Sequence, residues 1–305
     1  MTTTTLIKTG RPATRSLGNL GDYGVADWRL TLPDPVAAFF ATGTVALAVV
    51  RLHDYYDGPW IRVKVSGVER DIGYLTNGQP DTAALLTFAG SSDAVVTRWY
   101  SQASAGGYAY AAAGEEPIIA TGGAVVTSSR NSLPVIKTIY TPRRMRIDKD
   151  IPPLSSVMAA YKITTIPSAG QSIAGNLQNA DLYSGLMLGY ASGTTFQARI
   201  RASNVESNSG TTANGMGLNS AVIETVQLKA TSADRYLGQT QYGSITATYE
   251  ARDTSITIGG SRTQEATSRL GTVEFQTLVV AQGWDAHIDK VLAAAAALNT
   301  KLGYY

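Results

Sequence analysis

The residues whose types and spacing point to a chemistry are aromatic. Trp60, Trp99, Tyr100, Tyr108 and Tyr110 cluster in a chain that carries 16 tyrosines and 4 tryptophans. A sugar packs its apolar face on a ring while its hydroxyls need partners, so rings beside amides and hydroxyls make glycan platforms. Trp99, Tyr100, Gln102 and Tyr108 are the candidate glycan contacts. A Trp or Tyr on a strand more commonly packs the core or hydrogen-bonds at its edge, and that is the stronger reading for each of these rings, with glycan contact the alternative.

Other chemistries find less support. No Gly-x-Ser-x-Gly elbow, phosphate loop, dinucleotide fingerprint or His-Glu-x-x-His stretch occurs. His53 and His287 are the only two histidines and there is no cysteine, so neither a His-rich metal site nor a thiolate site is read, and no cofactor is expected. Glu115-Glu116 and Asp54/Asp57 read as turn and surface carboxylates. Arg143, Arg144, Arg146 and Lys149 form a basic run interrupted by Asp148 and Asp150, which reads as a solvated loop and secondarily as an anion site. The formal net charge of +2, from 25 basic and 23 acidic residues, offers no broad footprint for nucleic acid or an anionic membrane.

The elements that would hold the aromatic cluster lie between Arg51 and Tyr110. Ile61, Val63 and Val65 alternate with Arg62 and Lys64, the period of a half-buried strand. A turn at Asn77-Gly78-Gln79-Pro80 precedes Asp81, which can cap a helix over Thr82 to Ala89 closed by Gly90. A second strand, Ala94 to Tyr100, places Val96, Arg98 and Tyr100 on one face and Val95, Thr97 and Trp99 on the other. Upstream, Leu47, Val50, Leu52 and Tyr55 suggest a short amphipathic helix over Val45 to Tyr56. From Ser155 onward strand follows strand between Gly, Ser and Asn turns, with no helix between them, which argues for an antiparallel sandwich. The end is helical: Asp285 is a natural N-cap, Ile288, Val291, Leu292, Ala295, Leu298 and Leu302 share a stripe, and Lys301 and Gly303 mark the close.

These segments carry a resemblance. Tyr56-x-Gly58-Pro59-x-Ile61-x-Val63, Asp71-Ile72-Gly73, Asp81-Thr82-Ala83-Ala84-Leu85-Leu86-x-Phe88 and Val96-x-x-Trp99-Tyr100-x-Gln102 resemble a segment of tailed-bacteriophage structural proteins. The same motifs resemble the start of the arabinofuranosidase B catalytic domain, over roughly residues 44–120. The ending Leu298-Asn299-x-x-Leu302-Gly303-Tyr304-Tyr305 resembles the end of lectin-like phage domains. The resemblance implies an all-β, concanavalin-like jelly-roll sandwich with short helices and a C-terminal helix. It also implies where a retaining glycosidase would keep its two carboxyl groups. The nucleophile Glu falls at Ser184, within Leu182 to Gly189, and the acid/base Asp at Ser261, after Gly259-Gly260. A hydroxyl can serve in neither role near neutral pH. A shifted register would bring up Asp181 or Glu265, one acid but hardly both. Tyr100-Ser101-Gln102 replaces the family's Tyr-Asp-Gln. On this reading no catalytic residue remains, and the chain is not an enzyme.

The domain expectation is an irregular N-terminal arm over 1–43, broken by Gly10, Pro12, Gly18, Gly21, Gly24, Pro33 and Pro35, then a sandwich over 44–305. The arm either packs back on its own domain or docks on other virion proteins. The functional expectation is a virion structural protein of the tail, baseplate or fibre, made in host cytoplasm without membrane insertion and homo-oligomeric in the particle. Its sandwich would contact host surface glycan. The alternatives are an active glycoside hydrolase on host polysaccharide, and a capsid decoration or adaptor subunit making protein contacts alone.

Overall fold

The computed structural model describes residues 34–139, 143–165, 173–176, 185–192, 195–202, 205–208, 218–246, 248–249, 255–259 and 272–304. Residues 1–33 of the expected arm, and Ser184, Ser261, Asp181 and Glu265, lie outside them. In chain order the described elements begin with α1 (Pro35–Ala41), β1 (Val45–Ala48), β2 (Ile61–Val65), β3 (Val68–Ile72), α2 (Thr82–Ala89) and β4 (Ala94–Tyr100). Five short strands follow: β5 (Tyr108–Tyr110), β6 (Ile118–Thr121), β7 (Ala124–Val125), β8 (Ile136–Thr138) and β9 (Met145–Ile147). Then come β10 (Ser155–Thr165), β11 (Ala174–Gly175), β12 (Gly185–Ser192), β13 (Thr195–Ala202) and β14 (Val205–Asn208). The chain closes with β15 (Ala221–Leu228), β16 (Ser232–Leu237), β17 (Thr240–Thr246), β18 (Ile256–Ile258), β19 (Thr272–Gln282) and α3 (Ile288–Leu302).

Among the described residues every strand pairing is antiparallel. One layer runs β17–β16–β15–β10–β19, with β1 and β8 sharing the far edge of β19. The other runs β3–β2–β4, then β5, β9, β18, β11, β12, β13 and β14. Pairing passes between them at Ile118↔Lys137 and at the Leu47↔Ser101 bridge. Residues of both layers join one hydrophobic core. The fold is thus the all-β sandwich with short helices and a C-terminal helix that the strand pattern implies.

Strands β10 and β19 are buried almost end to end, because helices cover the face turned away from the second layer. Helix α1 packs on α3 and β19, and α3 packs on β15. Phe39 of α1 meets the Trp284 ring edge-on at 5.4 Å. Alanines at 294 and 295 on the buried stripe of α3 let it lie close. A strand covered on both faces loses the alternation of a half-buried one and reads as a continuous apolar run.

Three local expectations change. Residues 34–43, expected in the irregular arm, hold helix α1, whose Ala38, Phe39 and Phe40 are fully buried. Pro35 sits at the first helical position, where its missing N–H is no loss, and the Asp34 carboxylate accepts from Val36 N at 2.9 Å. The expected helix over 45–56 gives way to strand β1, since the edge of β19 offers the ladder Val45↔Val280 to Ala48↔Thr277. Helix α3 starts at Ile288 instead of beside Asp285, because Trp284 is held against Phe39 and the chain turns at His287 before it can wind.

Charged groups inside this core are paired, while several buried hydroxyls, among them Ser155, Ser156 and Thr225, have no hydrogen-bond partner among the described residues. Glu224 and Arg235, both fully buried, pair at 2.5 Å, and the carboxylate also accepts from Tyr161 at 2.8 Å and Tyr242 at 2.9 Å. Lys162 pairs with Glu274 at 2.9 Å. Removing one partner of a buried pair leaves the other charge uncompensated. Arg235→Met is therefore expected to lower unfolding stability by about 3–5 kcal/mol. The double change Arg235→Met with Glu224→Leu should recover part of that loss, as chemical denaturation will read.

Candidate functional site

A β-bulge sets the site. Strand β4 pairs with β2 as Ile61↔Trp99 and Arg62↔Arg98, but then Val63↔Val96, so one extra residue is accommodated next to Thr97. A bulge reverses the side-chain phase along the strand. Val96 and Trp99 therefore both point inward and are fully buried, against the expectation that Val96 shares a face with Arg98. Arg98 and Tyr100 turn outward beside Tyr108 and Tyr110 of β5, their partners across the ladder.

The outer face of this layer carries a polar row in register across five strands: Asp71, Arg62, Arg98, Tyr110 and Arg146, and the register continues to Thr257 of β18, which is fully buried. Two arginines directly opposite would repel. Arg62 is neutralised by Asp71 through two 2.7 Å bonds. Arg98 stacks its guanidinium on the Tyr108 ring, 4.6 Å from the centroid. Tyr100 donates to Asp71 Oδ1 at 2.8 Å and meets the Tyr108 ring edge-on. The Arg62 bonds hold the Asp71 carboxyl below the usual carboxylate range.

Tyr108, with 39 % of its surface exposed, forms the wall between two adjoining depressions. The larger, about 490 Å³, is lined by Lys64, Glu69, Arg98, Tyr110 and Glu116 among others. The smaller, about 190 Å³, is lined by Gly106, Gly107, Tyr110 and Lys149 among others, and Asp148 lines both. Burial alone would raise the Glu116 carboxyl. Its ion pair with Lys64 and the Gly114 N–H at 2.6 Å outweigh that and hold it below the ordinary value. Asp148 accepts from Tyr110 at 3.0 Å. An ionised, ion-paired Glu116 is not a proton donor at neutral pH. What the depressions offer is two tyrosine rings, three cations and fixed acceptors.

Of the four candidate glycan contacts, the structure brings Tyr100 and Tyr108 to this surface and takes Trp99 and Gln102 into the core. Trp99 is fully buried and its Nε1 donates to Ala48 O at 3.3 Å. Gln102, 1 % exposed, ties three segments together. Its Oε1 accepts from Leu52 N at 2.7 Å, and its Nε2 donates to Val50 O at 2.9 Å and to the Tyr74 hydroxyl at 2.8 Å. Neither side chain reaches the surface, because the bulge points Trp99 inward and Gln102 is buried with both amide N–H groups used.

Arg98, Asp148 and Glu116 were not singled out as contacts by the sequence, while Tyr110 stood in the aromatic cluster and Lys149 in the basic run whose secondary reading was an anion site. The expected solvated loop at 143–149 is instead strand β9 with a buried anchor. Arg144, 3 % exposed, grips Glu115 with two bonds of 3.0 and 3.1 Å, and Arg146 adds a third at 3.3 Å. The signal was present as Glu115-Glu116 and the basic run, opposite charges about thirty positions apart; nothing local says that they meet. Among the described residues no group of three or more His, Asp or Glu is placed to hold a metal ion, and no helix is long and apolar enough to cross a membrane.

Fold and site together define a concanavalin-like β-sandwich with a polar, tyrosine-centred cleft on one outer face. No protein-family model and no curated protein matches the chain. Among solved structures it is similar to a mutant of a GH54 α-L-arabinofuranosidase soaked with 4-nitrophenyl α-L-arabinofuranoside. That match has a TM-score of 0.62 at 14% identity, over 85% of this chain and 63% of that one. A GH54 α-L-arabinofuranosidase soaked with a cyclic sulfate inhibitor matches at 0.61 and 15% identity, over the same 85% and 63%. The sialidase module CBM40 of Ruminococcus gnavus bound to α2,3-sialyllactose overlaps 44% of this chain with a TM-score of 0.36. At these identities the likeness is one of fold, and this chain spans 63% of the arabinofuranosidase length.

Two measurements check the division between support and surface. Gln102→Leu strands the Leu52 N–H and the Val50 carbonyl, while the Tyr74 hydroxyl keeps its bond to Ala48 O at 2.8 Å, and should cost at least about 1–3 kcal/mol, whereas Tyr108→Ala should leave the melting temperature nearly unchanged. His53, 6 % exposed, donates from Nε2 to Gln102 O at 2.9 Å as the neutral ring, and burial lowers its pKa from the ordinary 6.5. Folded His53 then resists a proton that the unfolded chain takes up, so stability is full above pH 6.5 and falls as pH drops through the folded value. His53→Gln should flatten the melting-temperature profile between pH 7 and 5.

Proposed function

We propose that the chain is a non-catalytic glycan-binding sandwich that serves as a structural protein of a tailed-bacteriophage tail, baseplate or fibre. The observation that carries the binding reading is Tyr108. It is a half-open ring with a guanidinium on one side, standing between two depressions lined by fixed hydrogen-bonding groups. A ring that packs a sugar face beside charged and hydroxyl partners is how proteins hold saccharides. The fold likeness to arabinofuranosidases supports a saccharide ligand. The virion assignment rests on the resemblance of the 44–120 motifs to phage structural proteins, with the N-terminal arm as the docking segment for other virion proteins and repeated copies in the particle.

The arabinofuranosidase likeness also favours a second reading, a hydrolase acting on host polysaccharide. The ion-paired state of Glu116 and the serines at 184 and 261 weigh against it. A glycan array with the purified chain tests the binding reading: retention of at least one glycan class, abolished by Tyr108→Ala, is expected. Release of reducing sugar from a retained glycan, lost on replacing one acidic side chain, would establish the hydrolase instead.

A further inference from the structure

The smaller depression holds a cation without a counter-ion. Lys149 follows β9, and its stem runs under the bare backbone of Gly106 and Gly107. Its Cε lies 3.5 Å from where a Cβ on Gly107 would stand. Both glycines take positive φ, 62° and 97°, a backbone that ordinary side chains avoid, so the loop passes over the depression with nothing to fill it. The Lys149 ammonium donates to Thr44 O at 3.1 Å and to Gly106 O at 3.2 Å. An ammonium has three N–H groups, so one remains for the depression.

Among the described residues no carboxylate lies within ion-pair distance of Lys149. This sets it apart from Lys64, Lys162 and Lys229, each of which has an acid partner. The two acids flanking it in sequence are engaged elsewhere: Asp148 accepts from Tyr110 at 3.0 Å and from Ser255 at 3.4 Å, and Asp150 accepts from Ile151 N at 2.8 Å and from the Asn176 amide. Burial lowers the Lys149 pKa, and no neighbouring charge offsets that. A partly desolvated cation satisfied only by carbonyls is a position where an incoming anion gains more than it would on open surface.

The size and walls of the space say which anion. About 190 Å³ is below the ~300–1,000 Å³ range of pockets for drug-sized ligands, room for a single ring. Its rim of Gly107, Tyr108 and Asp148 is exposed, so a ligand can enter beside the tyrosine. We propose that this depression is a subsite for one acidic sugar residue. The ring would lie along Tyr108 and Tyr110, and its carboxylate would reach the free N–H of Lys149. This rests on the glycan-binding reading and deepens it from saccharides in general to carboxylated ones, of the uronate class.

The test is calorimetric titration of the full chain with oligogalacturonate and with its carboxyl-reduced, neutral counterpart. Wild-type protein should prefer the acidic chain. Lys149→Met, which keeps the stem and removes the charge, should weaken oligogalacturonate binding about tenfold, the worth of one charge-assisted hydrogen bond, and leave the neutral chain unaffected. An amine-reactive reagent read by peptide mass spectrometry serves as a check that needs no variant. Labelling of Lys149 should be slowed by oligogalacturonate and not by the neutral chain. Equal affinity for both chains, or tight oligogalacturonate binding by Lys149→Met, overturns the subsite and leaves glycan binding standing. Binding of neither chain, together with an empty glycan array, overturns both.

Discussion

Two strands buried on both faces are what the rest of the molecule must accommodate. β10 and β19 lie between the α1–α3 helix layer and the second sheet, so a charged group there is costly unless it is paired, although the small hydroxyls of Ser155, Ser156 and Thr277 are buried without a hydrogen-bond partner among the described residues. That explains why Glu224 is surrounded by Arg235, Tyr161 and Tyr242, why Lys162 has Glu274, and why Gln276 meets both Asn131 and the Tyr304 hydroxyl. It also explains the small side chains on the inner stripe of α3: a helix that seals a sheet face must come close to it. With the inner face of the second layer given over to the shared core, its outer face is where recognition groups can stand.

On that outer face the geometry is set by strand pairing more than by loops. Arg62, Arg98, Tyr110 and Arg146 fall in one row because β2, β4, β5 and β9 are neighbours, although Arg62 and Arg146 are far apart in sequence. The row is held in place by Asp71 at one end and Glu115 at the other. Tyr108 and Lys149 gain rigidity from the same source. A site built on paired strands loses little entropy when a ligand arrives, which suits a binding surface.

Local pattern was informative where one face decides. Ile61, Val63 and Val65 gave β2, and Asp81 and Gly90 bracket α2 with the Asp81 carboxylate accepting from Ala84 N at 2.9 Å. Lys301 and a left-handed Gly303 close α3. Local pattern misled where a distant partner decides. Val45 to Ala48 reads as one turn of an amphipathic helix until the open edge of β19 is beside it. The Pro35–Ala41 stretch looks irregular because its prolines and glycine flank a helix too short to show a period. Arg144 reads as solvated because Glu115, which neutralises it, is twenty-nine positions away.

What the sequence determined by itself is the class: alternating and continuous apolar runs between turn residues can bury their surface only as stacked antiparallel layers, and the 298–304 ending can only close a helix. It also placed an aromatic cluster between Trp60 and Tyr110. Which of these rings face outward was decided by tertiary structure. One extra residue in β4 reverses the side-chain phase between Val96 and Arg98, sending Trp99 inward and Arg98 out over Tyr108. A bulge is a property of two strands in register, and no pattern within one strand carries it.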